Sequence, residues 1–306
     1  MVSRRLALST ATVALSAAAC LFIAATQQST QQVDRSDVRP PVEPFVQLAD
    51  QLYLVAGGGC NTAVFVTASG VVVVDPKFPD SWPALDAEIR RITDRPVTHV
   101  ILTHFHSDHA EAVAEIPAET EVIAHENSIR YLRDEGWLDR AQGTAPRVRG
   151  FTGRLTMFEG DDTITLIAPG PAHTGGDALV VFPHARVLHA GDLFSSDAAP
   201  IVNIEGGGDG PHFAEALTET VTNVRDIDRV ITGHGAVVPW SALVTYADFL
   251  QFIVRYVRTE MRFGRDKQQV FNSIPLPKRF DAYRFRLFNT LDEIDRGLRP
   301  RWQRVF

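Results

Sequence analysis

The most informative stretch of this sequence is Val100-Ile101-Leu102-Thr103-His104-Phe105-His106-Ser107-Asp108-His109. Its apolar beginning predicts a buried strand, and the histidines and the aspartate then occupy the loop that follows. On an extended segment His104 and His106 project to the same side, so both can reach one cation. Asp108 and His109 lie at the next turn and can face a second cation. The stretch therefore predicts that one motif serves two metal ions.

A histidine in a loop is more often a surface or hydrogen-bonded residue than a metal ligand. The sequence around 104–109 departs from that expectation, because burying three histidines and an aspartate without a metal would be costly. Five other histidines carry no such pattern, and we interpret them as structural or surface residues: His99, His125, His184, His189 and His212.

More ligands are needed than this loop supplies, since a catalytic zinc binds several imidazole or carboxylate groups and keeps one position for water. The chain offers further candidates in loops after apolar runs. They are His173 in the segment 171–177, Asp192 in 188–192 and His234 in 231–235. Glycines flank each candidate and permit a close approach of the backbone.

Short apolar runs separated by turn residues predict strands, and the first three predict an antiparallel meander. Apolar residues at intervals of three and four predict helices over 82–93 and 126–135, and a helical tail past Pro239. Strands interleaved with helices indicate sheets covered by helices. The predicted strands are 52–55, 63–67, 71–74, 97–102, 122–124, 163–168, 178–182, 187–189 and 230–232.

In their order along the chain these residues resemble the metallo-β-lactamase superfamily, over about 45–239. The resemblance rests on Asp75 after a strand, the HxHxDH box at 104–109, and the later His173, Asp192 and His234. It implies an α+β fold of four layers, an αββα sandwich with the metals at one edge between the sheets, here followed by a helical C-terminal tail.

The resemblance also implies a ligand set for two zinc ions. It assigns His104, His106 and His173 to the first zinc; it assigns Asp108, His109 and His234 to the second, with Asp192 as the bridge between them. Asp75 would orient the histidine loop from behind the ligands.

Two zinc ions would lower the pKa of a shared water toward neutrality and so supply hydroxide as the nucleophile. Asp108 would accept or steer the proton, and it is the predicted catalytic residue. The expected activity is hydrolysis of an ester, thioester, lactone or amide-type bond by a dizinc enzyme.

Three alternatives stay open at the level of sequence. A β-lactamase is one, although Asp192 stands where dedicated β-lactamases carry Cys or Ser and is typical of glyoxalase II-like hydrolases. A persulfide dioxygenase is another, with a single iron at His104, His173 and Asp192, so iron is the alternative metal. The third is a metal- or ligand-binding protein without catalysis.

The overall composition favours a small-molecule substrate. Asp and Glu number 37 against 30 Lys and Arg, a formal charge of −7, which gives no broad positive field for nucleic acid. Nothing in the sequence indicates a protein partner, and Cys60 remains without a disulfide partner once the N-terminal segment is removed.

The N-terminal segment predicts export. Arg4 and Arg5 precede an apolar run that ends near Thr26, the layout of a signal peptide or an uncleaved membrane anchor. The expected location is periplasmic or extracellular, with membrane contact only through this segment. The predicted organisation is a signal or anchor at 1–26, a linker at 27–44, the metallo-β-lactamase-like domain at 45–240 and the helical extension at 241–306, packed on that domain.

Overall fold

The computed structural model describes residues 40–138, 146–195, 198–284 and 286–298. The predicted signal segment and most of the predicted linker lie outside the described residues. Within those four ranges, no helix combines the length and the apolar character that crossing a membrane requires.

The first sheet has seven strands that follow one another in chain order. Strands β1 to β4 pair antiparallel and form the predicted meander, while β4 to β7 pair parallel. The strands are β1 (Val46–Gln47), β2 (Leu52–Val55), β3 (Thr62–Thr67), β4 (Gly70–Val74), β5 (Val97–Ile101), β6 (Glu121–His125) and β7 (Arg147–Phe151).

The second sheet has six strands in the order β13-β12-β11-β10-β9-β8. All neighbours pair antiparallel except β11 and β12, which are parallel. The strands are β8 (Arg154–Met157), β9 (Ile164–Ile167), β10 (Leu179–Phe182), β11 (Val187–His189), β12 (Arg229–Ile231) and β13 (Val238–Pro239).

Alternation along the central strands places apolar side chains on both faces of each sheet. In β4, Val72 and Val74 point into the core between the sheets, whereas Val71 and Val73 point to the helices outside. Phe65 of β3 and Phe182 of β10 meet across the inner core, with ring centroids 5.1 Å apart. A strand buried on both faces reads as a continuous apolar run, which explains the sequence of β4.

Helices cover both outer faces. α1 and α3 pack on the first sheet, and α4, α5, α6 and α7 form the apolar cluster on the outer face of the second. The αββα sandwich is thereby confirmed. The helices are α1 (Trp82–Ile92), α2 (Ser107–Ala110), α3 (Glu126–Asp134), α4 (Gly210–Asn223), α5 (Trp240–Arg262), α6 (Lys267–Ser273) and α7 (Leu287–Leu298).

The sequence did not predict six of these elements: β1, β7, β8, β13, α2 and α4. The sequence predicts a loop over the site at 136–153, but this segment includes β7. Strand β7 lies at the edge of its sheet, and its exposed arginines give it no apolar period. The glycines of 199–211 predict a segment without regular structure, but helix α4 begins inside it, because Asp209 caps the helix by accepting from the backbone N–H of His212 at 3.0 Å.

Candidate metal centre

The predicted ligands come together at one edge of the sandwich, where several strands end. His104 and His106 lie between β5 and α2, and the short helix α2 carries Asp108 and His109. His173 lies between β9 and β10. Asp192 follows β11, and His234 lies between β12 and β13. Both sheets therefore contribute side chains to the same place.

Three imidazoles and a carboxylate form what we call the first metal group: His104, His106, His173 and Asp192. His106 Nδ1 lies 3.0 Å from His104 Nε2 and 3.0 Å from His173 Nε2. Asp192 Oδ2 lies 3.7 Å from His173 Nε2. The three nitrogen atoms and the carboxylate oxygen are close enough together to act as ligands of one cation.

A second metal group consists of Asp108, His109 and His234, again with Asp192. His234 Nε2 lies 3.3 Å from His109 Nε2 and 3.3 Å from Asp108 Oδ2. Asp192 Oδ1 lies 3.2 Å from His234 Nε2 and 3.5 Å from His109 Nε2. Asp192 thus directs one oxygen to each group.

The outer nitrogens of four histidines donate to fixed acceptors, so in the neutral rings the lone pairs lie on the inner nitrogens. His173 Nδ1 donates to the carbonyl of Ile201 at 2.9 Å, and His234 Nδ1 donates to that of Gly59 at 3.0 Å. A donated proton on the outer nitrogen fixes the tautomer that a metal requires.

Asp75 and Thr103 do the same for the other two rings. Asp75 is fully buried and accepts from the Thr103 backbone N–H at 2.8 Å, the Thr103 hydroxyl at 2.7 Å and His109 Nδ1 at 2.8 Å. Because that hydroxyl already donates to Asp75, it accepts from His104 Nδ1 at 3.0 Å. Asp75 therefore orients the histidine loop from behind.

The surroundings of Asp192 indicate whether the site suits a cation. Its Oδ1 atom is buried, and its polar neighbours are His234 Nε2 at 3.2 Å and His109 Nε2 at 3.5 Å. A buried carboxylate oxygen is costly unless a positive charge, here a protonated imidazole or a metal ion, meets it. Gly233 permits the arrangement, since a Cβ there would come within 1.9 Å of Asp192 Oδ1. The donor set of neutral imidazoles and carboxylates fits a metal ion.

The charges of the two groups differ. Burial, reinforced by the neighbouring histidines, holds the pKa of His104 well below its usual range, and burial lowers the pKa of His106 to about 3. Burial alone would lower the pKa of His109 too, but Cys60, Asp75 and Asp192 raise it well above the usual value. The pKa of His234 is raised by Asp192 against the same effect of burial. The neutral form is therefore favoured for His104 and His106, whereas the protonated form is favoured for His109 and His234.

The other five histidines lie outside both groups. His189 is buried, accepts from the backbone N–H of Gly191 at 3.1 Å and lies 3.1 Å from the carbonyl of Asn61. The remaining four make local contacts through their rings: His99 with Thr98, His125 with the backbone of Asn127, His184 with Asp161 and His212 with the carbonyl of Pro171.

Two residues near the site had no signal in the sequence. Lys77 is fully buried with φ of 75°, and its Nζ donates to the carbonyls of Val55 at 2.9 Å and Cys60 at 2.5 Å. Asn203 lies with Nδ2 2.8 Å from His106 Nε2. Both residues reach the site only through the tertiary fold, so the sequence around each of them does not predict its place there.

Comparison with known proteins agrees with this geometry. The family model of the metallo-β-lactamase superfamily matches residues 55–234, which is more than half of the chain, and the chain belongs to this superfamily. The match spans both metal groups.

The relatives are distant. The chain is 27% identical over 196 residues to the alpha subunit of 2,4-dinitroanisole O-demethylase from Nocardioides sp. (strain JS1661), over 60% of this chain and 55% of that protein. It is 22% identical over 192 residues to a type 2 metallo-β-lactamase from Bacillus sp. (strain 170), over 62% of this chain and 72% of that protein.

Solved structures show the same fold. The sec-alkylsulfatase Pisa1 from Pseudomonas sp. matches with a TM-score of 0.69 and 15% identity, over 83% of this chain and 50% of that one. A metallo-β-lactamase from Pontibacter korlensis matches with a TM-score of 0.56 and 20% identity, over 69% and 99%. The chain spans about half of the O-demethylase subunit and of the alkylsulfatase.

Proposed function

We propose that this protein is an exported hydrolase that uses two zinc ions to cleave an ester, thioester, lactone or amide-type bond in a small molecule. The observation that carries the proposal is the direction of the imidazoles. Five inner nitrogens and the two oxygens of Asp192 converge, and four of the outer nitrogens donate to fixed acceptors. Such an arrangement of buried polar groups would destabilise the fold unless cations occupied its centre.

The two metal groups would hold the ions, with Asp192 between them. Zinc would supply a polarising charge and a water of lowered pKa. The chain's own contribution is orientation. Asp75 holds His109 and the backbone of Thr103 in place, and the carbonyls of Ile201 and Gly59 hold His173 and His234.

Asp108 is the proposed proton acceptor. Its side chain is 25% exposed, whereas that of Asp192 is 7% exposed, so of the two it is the carboxylate that a substrate can approach. Its Oδ2 lies 3.3 Å from His234 Nε2. A carboxylate at the mouth of a buried cluster can receive a proton from the attacking group and pass it to solvent or to the leaving group.

The relatives define the range of substrates worth testing. One similar protein is an O-demethylase subunit, one an alkylsulfatase and one a β-lactamase. A shared fold permits many substrates, because the walls of the site decide specificity. We therefore keep hydrolysis as the proposed reaction class and treat a β-lactam, a methyl ether and a sulfate ester as members of the test panel.

The test begins with metal analysis of the purified protein, where we expect about two zinc ions per chain. Hydrolysis of a cephalosporin, a lactone, a thioester, an aryl phosphodiester, an alkyl sulfate and an aryl methyl ether is then measured. His106→Ala and Asp108→Asn should abolish turnover and leave the fold intact. His184→Ala, an exposed histidine paired with Asp161 at 3.1 Å, is the control and should keep full activity.

Other outcomes would contradict the proposal in distinct ways. About one iron per chain with oxidation of a persulfide would indicate the dioxygenase. Bound zinc without turnover on any member of the panel would indicate a binding protein.

Export is proposed from the arginine pair and the apolar run before Thr26. Fractionation of cells that produce the full chain, with N-terminal sequencing of the mature protein, tests it. Recovery of uncleaved protein in the cytoplasm would contradict it.

A further inference from the structure

The segment 198–209, which we call the 198–209 loop, orients the first metal group. The carbonyl of Ile201 accepts from His173 Nδ1 at 2.9 Å. The side-chain amide of Asn203 lies 2.8 Å from His106 Nε2. The backbone N–H of Asn203 also donates to the carbonyl of His173 at 2.8 Å. Two of the three imidazoles of the first group therefore take their orientation from this loop.

The loop consists of turns and extended segments, so its conformation depends on what holds it. Helix α7, about 90 residues further along the chain, provides two hydrogen bonds around Ile201. The hydroxyl of Thr290 donates to the carbonyl of Pro200 at 2.8 Å, and Glu293 Oε2 accepts from the backbone N–H of Val202 at 2.8 Å. Thr290 is fully buried. The residues on either side of Ile201 are thus held by α7, and so is the carbonyl that accepts the hydrogen bond from His173 Nδ1.

The second metal group has a different support. The outer nitrogen of His109 donates to Asp75, and that of His234 donates to the carbonyl of Gly59. Both acceptors belong to the N-terminal half of the chain, next to the first sheet. A change in α7 therefore reaches one group through the 198–209 loop and leaves the supports of the other in place.

We propose that α7 is a positioning element for the first metal group, in which Thr290 and Glu293 hold the 198–209 loop and the loop holds His173 and His106. The inference rests on the proposed metal-binding function and adds to it a role for the C-terminal extension. It makes the two metal groups separable by mutation at residues that belong to neither group.

The variants separate hydrogen bonding from packing. Glu293→Leu removes the acceptor for Val202, while Glu293→Gln retains an oxygen that can accept from the same N–H. Thr290→Val removes the hydroxyl at nearly constant volume. Asp292→Asn is the matched control on the same helix, because Asp292 pairs with Lys267 of α6 at 3.0 Å and not with the loop.

The measurement is a competition titration of the full-length metal-free protein with zinc and a chromogenic chelator, which resolves two binding constants without an activity assay. Glu293→Leu and Thr290→Val should weaken one of them by about 10- to 100-fold, the usual effect of losing the support of a ligand. Glu293→Gln and Asp292→Asn should keep both constants. Circular dichroism establishes that each variant is folded; if Glu293→Leu does not fold, Thr290→Val carries the test.

Two further backgrounds identify the affected group. In His234→Ala, where the first group remains, Thr290→Val should still weaken zinc binding. In His106→Ala, where the second group remains, it should have no effect. Equal weakening in both backgrounds, or no weakening in either, would overturn the inference while wild-type binding of two zinc ions keeps the proposed function. Failure of the wild type to bind zinc would overturn both.

Discussion

Replacing Asp75 by Asn tests directly whether hydrogen bonds from behind the ligands orient the histidines for metal binding. Asp75 has φ of 60°, a conformation that Asn adopts readily, so the substitution changes hydrogen bonding without adding backbone strain. The new amide oxygen can keep the bond to the Thr103 backbone N–H. The amide nitrogen, however, takes the place of Oδ2, which accepts from the Thr103 hydroxyl at 2.7 Å and from His109 Nδ1 at 2.8 Å.

The size of the effect follows from these two contacts. Hydrogen bonds to a charged group contribute about 1.5–3 kcal/mol each, and an unsatisfied buried donor costs a similar amount. The Thr103 hydroxyl can reverse its direction, so we expect the free energy of unfolding of the metal-free protein to fall by about 2–3 kcal/mol. His109 can avoid a donor-to-donor contact only by moving its proton to Nε2, the nitrogen that faces the second metal group.

The same change should therefore weaken zinc binding at the second group by about 10- to 100-fold. Chemical denaturation with a chelator present measures the stability, and zinc competition measures the affinities. Asp226→Asn is the control, because Asp226 shares a φ of 60° but its side chain is 85% exposed, and it should change stability by less than about 0.5 kcal/mol. Unchanged affinity of both zinc sites in Asp75→Asn would refute the reasoning.

Three further predictions concern the second metal group, Lys77 and Gly233. Zinc binding at the second metal group should strengthen as pH rises and should release protons, because the raised pKa values of His109 and His234 mean that protons must leave when zinc binds. Calorimetry at pH 6 and 8 in buffers of different ionisation enthalpy measures the protons released. Binding that does not depend on pH would contradict this prediction. Lys77→Met should lower the free energy of unfolding by about 2–4 kcal/mol, because two buried carbonyls lose their donor; exposed Lys278→Met is the control for denaturation. Gly233→Ala should abolish zinc binding at both groups, because its Cβ would displace the oxygen of Asp192, while Gly160→Ala, which meets no atom within 4 Å, should retain it; retained binding in the first variant would show that Asp192 is not needed.

Local signals in the sequence were sufficient for many of the individual elements, whereas the αββα arrangement was predicted from the resemblance to the superfamily. The meander from β2 to β4 was predicted from β-branched runs, and each strand lies within a residue of its expected bounds. Helix α1 was predicted from the spacing of Trp82, Leu85 and Ile89, which are buried as expected. These elements are apolar where they face the core, so periodicity alone identifies them.

The elements that escaped prediction lack that signal. Strand β7 is an edge strand with exposed arginines, and its pairing with β6 is a property of the assembled sheet. Helix α4 begins directly after a glycine-rich loop, and glycine obscures the start of a helix in any analysis of propensity. Tertiary contacts decide both cases.

At the metal centre, the candidate ligands were easier to predict from the sequence than the residues that orient them. The candidate ligands were identified as histidines and aspartates in loops after apolar runs, and the resemblance to the superfamily assigned them to two metal ions. Asn203, Thr290 and Glu293 are ordinary polar residues whose neighbours in sequence give no hint of a metal centre. Their significance depends on contacts such as the one between Glu293 and Val202, across 91 residues of chain.

The supports explain why the helical extension follows the sandwich. Asp192 serves both metal groups, but their imidazoles are oriented from two halves of the chain. Asp75 and Gly59, next to the first sheet, orient His109 and His234, and Asp75 also supports His104 through Thr103. Ile201 and Asn203, in the loop held by α7, orient His173 and His106. A hydrogen bond fixes an imidazole only as well as its acceptor is itself fixed. The 198–209 loop lies outside both sheets, so it needs a partner with its own hydrophobic contacts. Leu287, Leu291 and Ile294 of α7 are buried in the apolar cluster over the second sheet, and this burial gives the loop an anchor that the sheets alone do not supply.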